Sequence, residues 1–454
     1  MARRLLVIGG DAAGMSAAST AKRALGDALE VVVLERQPWT SYSACGIPYW
    51  VAGDVSALED LIARTPEQHR ANGIDVRTGA TATEIDLDAG KVVARTADGT
   101  ESFAYDDLLI ATGAEPVRPD VPGADAAGIY GVQTLADGRR VLDALAGRPR
   151  HVVIVGAGYI GVEMAEACVR RGLQTVLVGK HPTPMPTIDP ELGQLIATGM
   201  RADDIDVRVP VTVTGFEADL DGHVQAVVTD HGTIETDLVI LGAGVRARTE
   251  LAAGAGLPTG IKGALPVDSR GRLDAERHVW AAGDCVESRH RVSGQQVYVP
   301  LGTHANKQGL TVGRNLAGDD MEFPGVLGTA MTKVVTLEIA RTGLGEQEAS
   351  DAGFTSVAVT IDATTSAGYM PNARSMTVKL VADRTSRQVL GAQIVGREGA
   401  ALRIDTCALA LWNEMTVDDL MMTDLGYAPP FASVWDPVQQ AARAAVSELG
   451  RPLR

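Results

Sequence analysis

Reactive chemistry and helix-terminus geometry meet in one stretch, Ser41-Tyr42-Ser43-Ala44-Cys45-Gly46-Ile47-Pro48-Tyr49. Pro48 suits a first helical turn, where its missing N–H costs nothing, so Cys45 stands just ahead of a helix start. A sulfur there faces the positive end of the helix dipole and several unpaired N–H groups. Both favour the nucleophilic thiolate and predict a lowered thiol pKa. The competing reading is a loop cysteine that merely packs. The other cysteines, at 168, 285 and 407, show neither metal-ligand spacing nor a disulfide framework. Cys168 and Cys407 fall at small-residue positions of predicted helices, and Cys285 follows a strand. All three read as structural, and no metal site is expected.

The elements that must position this sulfur begin upstream of it. Leu5 to Ile8 reads as a buried strand, followed by the loop Gly9-Gly10-Asp11-Ala12-Ala13-Gly14 and a small-residue helix from Met15 to about Leu25. A second strand, Glu30 to Leu34, ends at Glu35, followed by Arg36. An acid about 20 residues past a glycine loop is what a dinucleotide fold uses to hold a ribose hydroxyl. Asp11 occupies the middle glycine position, leaving Gly10 beside it to allow close approach of a pyrophosphate.

The unit recurs. His151 to Val155 is a strand, Gly156-Ala157-Gly158-Tyr159-Ile160-Gly161 is a complete fingerprint, and a helix to about Arg171 precedes the strand Gln174 to Val178. Two such units imply two dinucleotides. The second lacks the terminal acid and carries Gly179-Lys180-His181 instead. A carboxylate would repel a 2′-phosphate, whereas Lys180 and His181 could pair with one, which points to NADPH, with NADH possible. A solvated turn with a surface lysine is the alternative.

Further short segments fit a pair of nucleotide folds. Asp107 to Gly113, with Thr112 and Gly113 in its turn, and Asp237 to Gly244 each read as an apolar strand ending in small residues. Val279 to Asp284 is a strand ending at Gly283 and an exposed acid. Gly302 to Gly309, with Thr303 and Ala305, reads as a helix start. From about Phe323 the pattern changes to strands at Val357–Ile361, Met376–Leu380 and Val389–Ile394. A helix through Ala400, Ala401, Ile404, Ala408 and Leu411 follows, then the stiff segment Tyr427-Ala428-Pro429-Pro430-Phe431.

The totals limit the function classes. The 454 residues carry 41 Lys and Arg against 57 Asp and Glu, a net charge of −16, with no basic tract. Nucleic-acid binding and a hold on acidic membranes are therefore not expected. The opening Met1-Ala2-Arg3-Arg4 leaves no room for a cleavable signal before the first strand, and no apolar run approaches a membrane span. A cytoplasmic location is expected.

In its order of glycine loop, acid, single cysteine, Ala111-Thr112-Gly113 turn, second glycine loop and Ala282-Gly283-Asp284 strand, the whole chain resembles the pyridine nucleotide–disulfide oxidoreductase family. The resemblance implies an α/β fold: two Rossmann-like dinucleotide-binding domains, for FAD and NAD(P)H, and a C-terminal α+β dimerisation domain. The FAD domain would comprise 1–115 and 245–322, the NAD(P)H domain 116–244 and the dimerisation domain 323–454. It further implies that Gly9, Gly10, Ala13, Gly14, Glu35, Arg36, Ser43, Thr112, Gly113, Gly283, Asp284, Thr303 and Ala305 serve FAD, Asp284 at the ribityl chain. Gly156, Gly158, Ile160, Gly161, Lys180, His181 and Gly244 would serve the nicotinamide dinucleotide. Tyr159 would gate the nicotinamide pocket, with Glu163 beside it.

The branch follows from what surrounds the cysteine. The position five after Cys45 is Trp50, so the Cys-x-x-x-x-Cys pair of glutathione-reductase-like members is missing. The chain is similar to the single-cysteine branch, most of all to coenzyme A-disulfide reductases. Peroxidases and water-forming oxidases of that branch carry a histidine where Ala12 stands, which counts against peroxide chemistry. Coenzyme A-disulfide reductases usually have Asn where Ala44 stands. The resemblance also implies a homodimer in which Tyr427 of one subunit, with Tyr369, assists Cys45 of the other. The implied reaction is NAD(P)H-dependent reduction of a small disulfide such as coenzyme A disulfide. The alternatives are a persulfide or polysulfide reductase, an NAD(P)H oxidase, and a flavin-bound redox sensor.

Overall fold

A computed structural model describes residues 2–450. Three main sheets organise the chain. The first has the strand order Arg272–Asp274, Val279–Ala281, Asp107–Ile110, Arg3–Ile8, Leu29–Glu35, Ile74–Thr78 and is parallel except at the Arg272–Asp274 edge. Its central strand is apolar because both faces are covered, one by the helices Ala12–Leu25 and Gly302–Leu316 and the other largely by the strands Thr81–Asp86 and Lys91–Thr96; Leu5, Leu6 and Val7 are fully buried. The second sheet is wholly parallel, in the order Ile205–Arg208, Gln174–Val178, His151–Val155, Leu238–Leu241, Ile129–Gly131. In both, the strand leading into the glycine loop is central, so both loops open at the carboxyl end of a sheet.

Two connections join the sheets side by side. Ala114–Pro116 leaves the first unit and pairs antiparallel with Val245–Ala247, which returns to it. Thr112 Oγ1 donates to the Arg248 carbonyl at 2.6 Å across this crossing, and Arg248 pairs with Glu115 at 3.2 Å. The helix Ala12–Leu25 lies against Gly302–Leu316 through small residues. A Cβ on Gly309 would stand 2.3 Å from the Ala13 carbonyl oxygen, and one on Gly313 2.7 Å from that of Ala17.

The third sheet is antiparallel, ordered Ala330–Val334, Leu337–Gly343, Val389–Gly396, Ser375–Asp383, Ser356–Thr364, with the helices Ile404–Trp412 and Pro437–Leu449 packed on it. The sequence reading finds its last three strands but misses the hairpin 330–343, whose Thr, Lys, Glu and Arg residues mask an apolar period. It also misses two three-stranded antiparallel sheets, over 81–104 and 213–235, whose residues are mostly polar or half-buried. No helix among the described residues is long and apolar enough to cross a membrane.

The second fingerprint separates packing glycines from open ones. A Cβ on Gly161 would lie 1.9 Å from the Gly156 carbonyl oxygen, whereas one on Gly158 meets nothing within 4 Å. Gly161→Ala is therefore expected to destabilise the fold by about 1–3 kcal/mol and to lower the apparent Tm by several degrees. Gly158→Ala should melt within about one degree of the parent, its φ of −88° being open to any residue. Paired thermal melts of the two variants check this.

Candidate functional site

Cys45 lies in the single 3₁₀ turn Ala44–Gly46, which runs into the short helix Ile47–Ala52 with Pro48 in its first turn. The loop before it is stitched down at every step. Ser41 takes a left-handed backbone, φ 48°, and its hydroxyl pairs with His69 Nε2 at 3.0 Å. The Ser41 carbonyl accepts from Ala63 N–H at 2.9 Å, and Ser43 N–H donates to Leu61 at 2.8 Å. Tyr42 N–H donates to the Asp11 carboxylate at 3.1 Å, and Ser41 N–H to the Gly10 carbonyl at 3.2 Å. The cysteine loop is thus fastened to the first glycine loop itself. Cys45 is exposed to a cavity of about 2280 Å³, while Cys168, Cys285 and Cys407 are buried.

The electrostatics at this sulfur overturn the lowered thiol pKa expected from the sequence. Burial pushes the Cys45 thiol up, and Glu163, Asp284 and Asp11 push it further in the same direction. The helix behind it has six residues and begins after an intervening turn, too little dipole to offset a carboxylate-lined pocket. The carboxylates suffer in turn. Burial raises Asp284 to about 6, and burial, with Glu35 and Asp284 adding to it, raises Asp11 to about 7 against the lowering Tyr42 N–H bond. Burial likewise lifts the inert thiols, Cys168 and Cys407 to about 12.

Around the first loop, Gly9, Gly10, Ala13, Glu35, Arg36, Ser43, Thr112, Gly113, Gly283, Asp284, Thr303 and Ala305 all line the cavity. Glu35 accepts from Gly10 N–H and Gln37 N–H, each at 2.7 Å, so the acid also pins the loop. Gly10 lines the cavity and is constrained from behind as well. A Cβ there would stand 2.9 Å from Glu35 Cβ and 3.1 Å from Thr40 Cγ2, so its bareness serves the acid behind it. Gly14 does not line the cavity; a Cβ would stand 2.0 Å from the Gly9 carbonyl oxygen, which makes it a packing glycine. The Asp284 carboxylate makes no hydrogen bond among the described residues, and Tyr298 Oη donates to its backbone carbonyl at 2.9 Å.

Around the second loop, Gly156, Gly158, Tyr159, Ile160, Glu163, Lys180, His181 and Gly244 line the same cavity, and Gly161 packs behind it. Lys180 and His181 are exposed, and neither forms an ion pair among the described residues. Burial raises the Glu163 carboxyl, which accepts from Thr332 Oγ1 at 2.7 Å.

Two dinucleotides fit this chemistry. The helices Ala12–Leu25 and Tyr159–Arg170 start at the cavity with no side-chain cap and no acid in the first turn, so their N–H groups are free for diphosphates. The buried Tyr159 hydroxyl has no hydrogen-bond partner among the described residues.

Tyr369 and Tyr427 are exposed and lie outside the cavity of their own chain. They are neighbours, and pairing with Tyr427 holds the Tyr369 phenol above its ordinary value. Ala367 N–H donates to the Pro429 carbonyl at 2.9 Å, and Arg403 bridges the Thr365 and Phe431 carbonyls at 2.7 Å each. The two tyrosine segments form one surface unit.

The sequence reading gives Tyr42, Thr332 and Arg248 no role and misses the tether made by Asp11. Tyr42 lies within the cysteine stretch itself. Thr332 sits on the overlooked hairpin and carries no local signal.

Comparison with known proteins agrees in extent and kind. Residues 3–309 match the family pattern described as pyridine nucleotide-disulphide oxidoreductase, and residues 329–438 match its dimerisation domain. A protein of Pyrococcus abyssi named NAD(P)H sulfur oxidoreductase (CoA-dependent) is 39% identical over 97% of this chain and 98% of its own. The reduced Bacillus anthracis structure titled CoADR-RHD superposes with a TM-score of 0.95 at 32% identity, over 99% of this chain and 81% of that one. A NAD-dependent persulfide reductase from A. fulgidus gives 0.95 at 33% identity, over 98% and 83%.

The burial pattern predicts the alkylation chemistry. In flavin-free protein one thiol of four should react with iodoacetamide under native conditions, at Cys45 by peptide mapping. Its rate should still be rising with pH above the ordinary thiol range. Removing a nearby negative charge with Glu163→Gln should lower the thiol pKa, increase the thiolate fraction and raise the rate at pH 7 severalfold. An unchanged rate would show that Glu163 does not act on the sulfur.

Proposed function

We propose, from the premise that this chain belongs to the pyridine nucleotide-disulphide oxidoreductase family, that it uses NADPH and FAD to reduce a coenzyme A-linked sulfur–sulfur bond, disulfide or persulfide, through Cys45. The observation that carries the reading is that Cys45, alone among the four cysteines, opens to a cavity reached by both glycine loops. The coenzyme A-dependent and persulfide names of its relatives support the substrate class. Bound FAD and NADPH supply an electron pair to sulfur.

The chain's own residues do the rest. The first loop with Glu35, Thr112, Asp284 and Thr303 holds FAD; the second loop with Lys180 and His181 holds NADPH, the two basic groups meeting the 2′-phosphate. Cys45 attacks one sulfur of the substrate. Its Sγ bonds to that sulfur, the substrate S–S bond breaks, and the departing thiolate takes a proton. The electron pair then cleaves the new mixed disulfide, which returns Cys45 as thiolate and releases the other half of the substrate as a thiolate that takes a proton. A raised pKa lowers the thiolate fraction at neutral pH. The raised value also makes the sulfur intrinsically more nucleophilic.

The exposed Leu402, Leu409, Met422, Phe431 and Val434 suit burial against a second copy, in line with the matched dimerisation domain. Tyr427, exposed and remote from its own cavity, fits a role at the partner subunit's Cys45, donating a proton to the leaving thiolate. Four unpaired cysteines suit a reducing cytoplasm.

Cys45→Ser should retain flavin yet lose disulfide turnover at least about a thousandfold; near-normal turnover would sink the mechanism. Subunit exchange between Cys45→Ser and Tyr427→Phe dimers tests the shared site. The heterodimer has one site with both residues and one with neither, so activity should rise above either parent. With exchange verified by mass, no rise would mean that Tyr427 does not cross the interface.

A further inference from the structure

The connection from the strand Gln174–Val178 to the helix Pro190–Ala202 carries Lys180 and His181 along the cavity. Its own nucleotide-binding unit holds it at Gly179 and by Met185 N–H, which donates to Ala157 at 2.7 Å. Met185 and Ile188 pack into the apolar core it shares with the third sheet, and polar contacts from the third domain add to this. The Thr187 carbonyl accepts from Arg341 Nη1 at 2.6 Å, and Asp189 N–H donates to Gln393 Oε1 at 2.8 Å. The Asp189 carboxylate pairs with Lys379 Nζ at 2.7 Å and accepts from Glu346 N–H at 3.2 Å.

Lys379 is the centre of this arrangement. It is 1% exposed, in the strand Ser375–Asp383, and its ammonium also pairs with Glu191 and Glu346. The three carboxylates converge closely enough to resemble a cation site, and the ammonium stands among them. Arg341 is nearly as buried, donating to the Gly343 carbonyl at 2.6 Å and pairing with Glu348 at 2.6 Å. A buried ammonium without its carboxylates is costly, so these contacts hold the end of the connection stiffly. A loop held rigid before binding loses less entropy when a ligand arrives.

We infer that the third domain sets the dinucleotide specificity of the second: Lys379, supported by Arg341 and Gln393, is a positioning residue for the loop that offers Lys180 and His181 to a 2′-phosphate. The inference rests on the NADPH reading above. Lys379 does not line the cavity and acts only through the loop. Its loss should therefore fall on NADPH far more than on NADH, and on KM more than on kcat.

The test is a double-mutant cycle in the flavin-loaded enzyme with Lys180→Ala and Lys379→Met, comparing kcat/KM for NADPH and NADH. Each single variant should reduce the NADPH:NADH preference about tenfold, the worth of one charged hydrogen bond. The double variant should fall no lower than Lys180→Ala. Calorimetric titration with 2′,5′-ADP and 5′-AMP should give the same pattern without turnover. An unchanged preference in Lys180→Ala overturns the NADPH reading and this inference with it. A reduced preference in Lys180→Ala with a retained one in Lys379→Met overturns this inference alone, as does a lowered Tm in Lys379→Met without a change of preference. If Lys379→Met does not fold, Asp189→Asn is read in the same way, since it removes one carboxylate of the cluster and keeps the N–H bond to Gln393.

Discussion

The architecture depends on backbone approaching backbone at each strand-to-helix turn more closely than any side chain allows. A Cβ on Gly9 would stand 2.1 Å from the Ala111 carbonyl oxygen, and one on Gly156 2.2 Å from that of Gly242. The turns can therefore press against the neighbouring strand and start their helices at the sheet's carboxyl edge. Free N–H groups then point into the cavity, in a protein whose net charge of −16 would otherwise repel a diphosphate. At positive φ of 111° and 112°, both residues also occupy a region that a side chain would strain.

A second consequence is electrostatic. Burying Asp11, Asp284 and Glu163 around one sulfur raises the pKa of every member of the group, because each charge is desolvated and like charges add to one another. A site that had to ionise its thiol at neutral pH would be poorly served by such neighbours. The thiolate formed on reduction carries the same cost, which the higher intrinsic nucleophilicity of a raised-pKa sulfur partly offsets.

Specific polar contacts join the three units beside an apolar core to which all three contribute. The Thr112–Arg248 bond ties the two crossing segments, Thr332 reaches Glu163 beside the second loop, and Lys379 and Arg341 hold the connection that carries Lys180. Each bond joins residues far apart in the chain, and each ends at or beside the cavity. Side chains of one unit thus determine the geometry of another unit's site.

The sequence alone determined the two nucleotide units, the cysteine that opens to the cavity and the acid at Glu35, because strand, glycine turn and helix are local patterns written within about 30 residues. The later strands of the third sheet were legible for the same reason. Only the tertiary structure decided that Gly10 serves Glu35, that Asp11 tethers the cysteine loop, and that Tyr369 and Tyr427 form one surface unit away from their own chain's cavity. It alone also set the direction of the Cys45 pKa. A helix dipole can be read from neighbouring residues, but the carboxylates that outweigh it come from positions 11, 163 and 284. Burial and charge depend on what folding brings within a few ångströms, and sequence separation does not encode that distance.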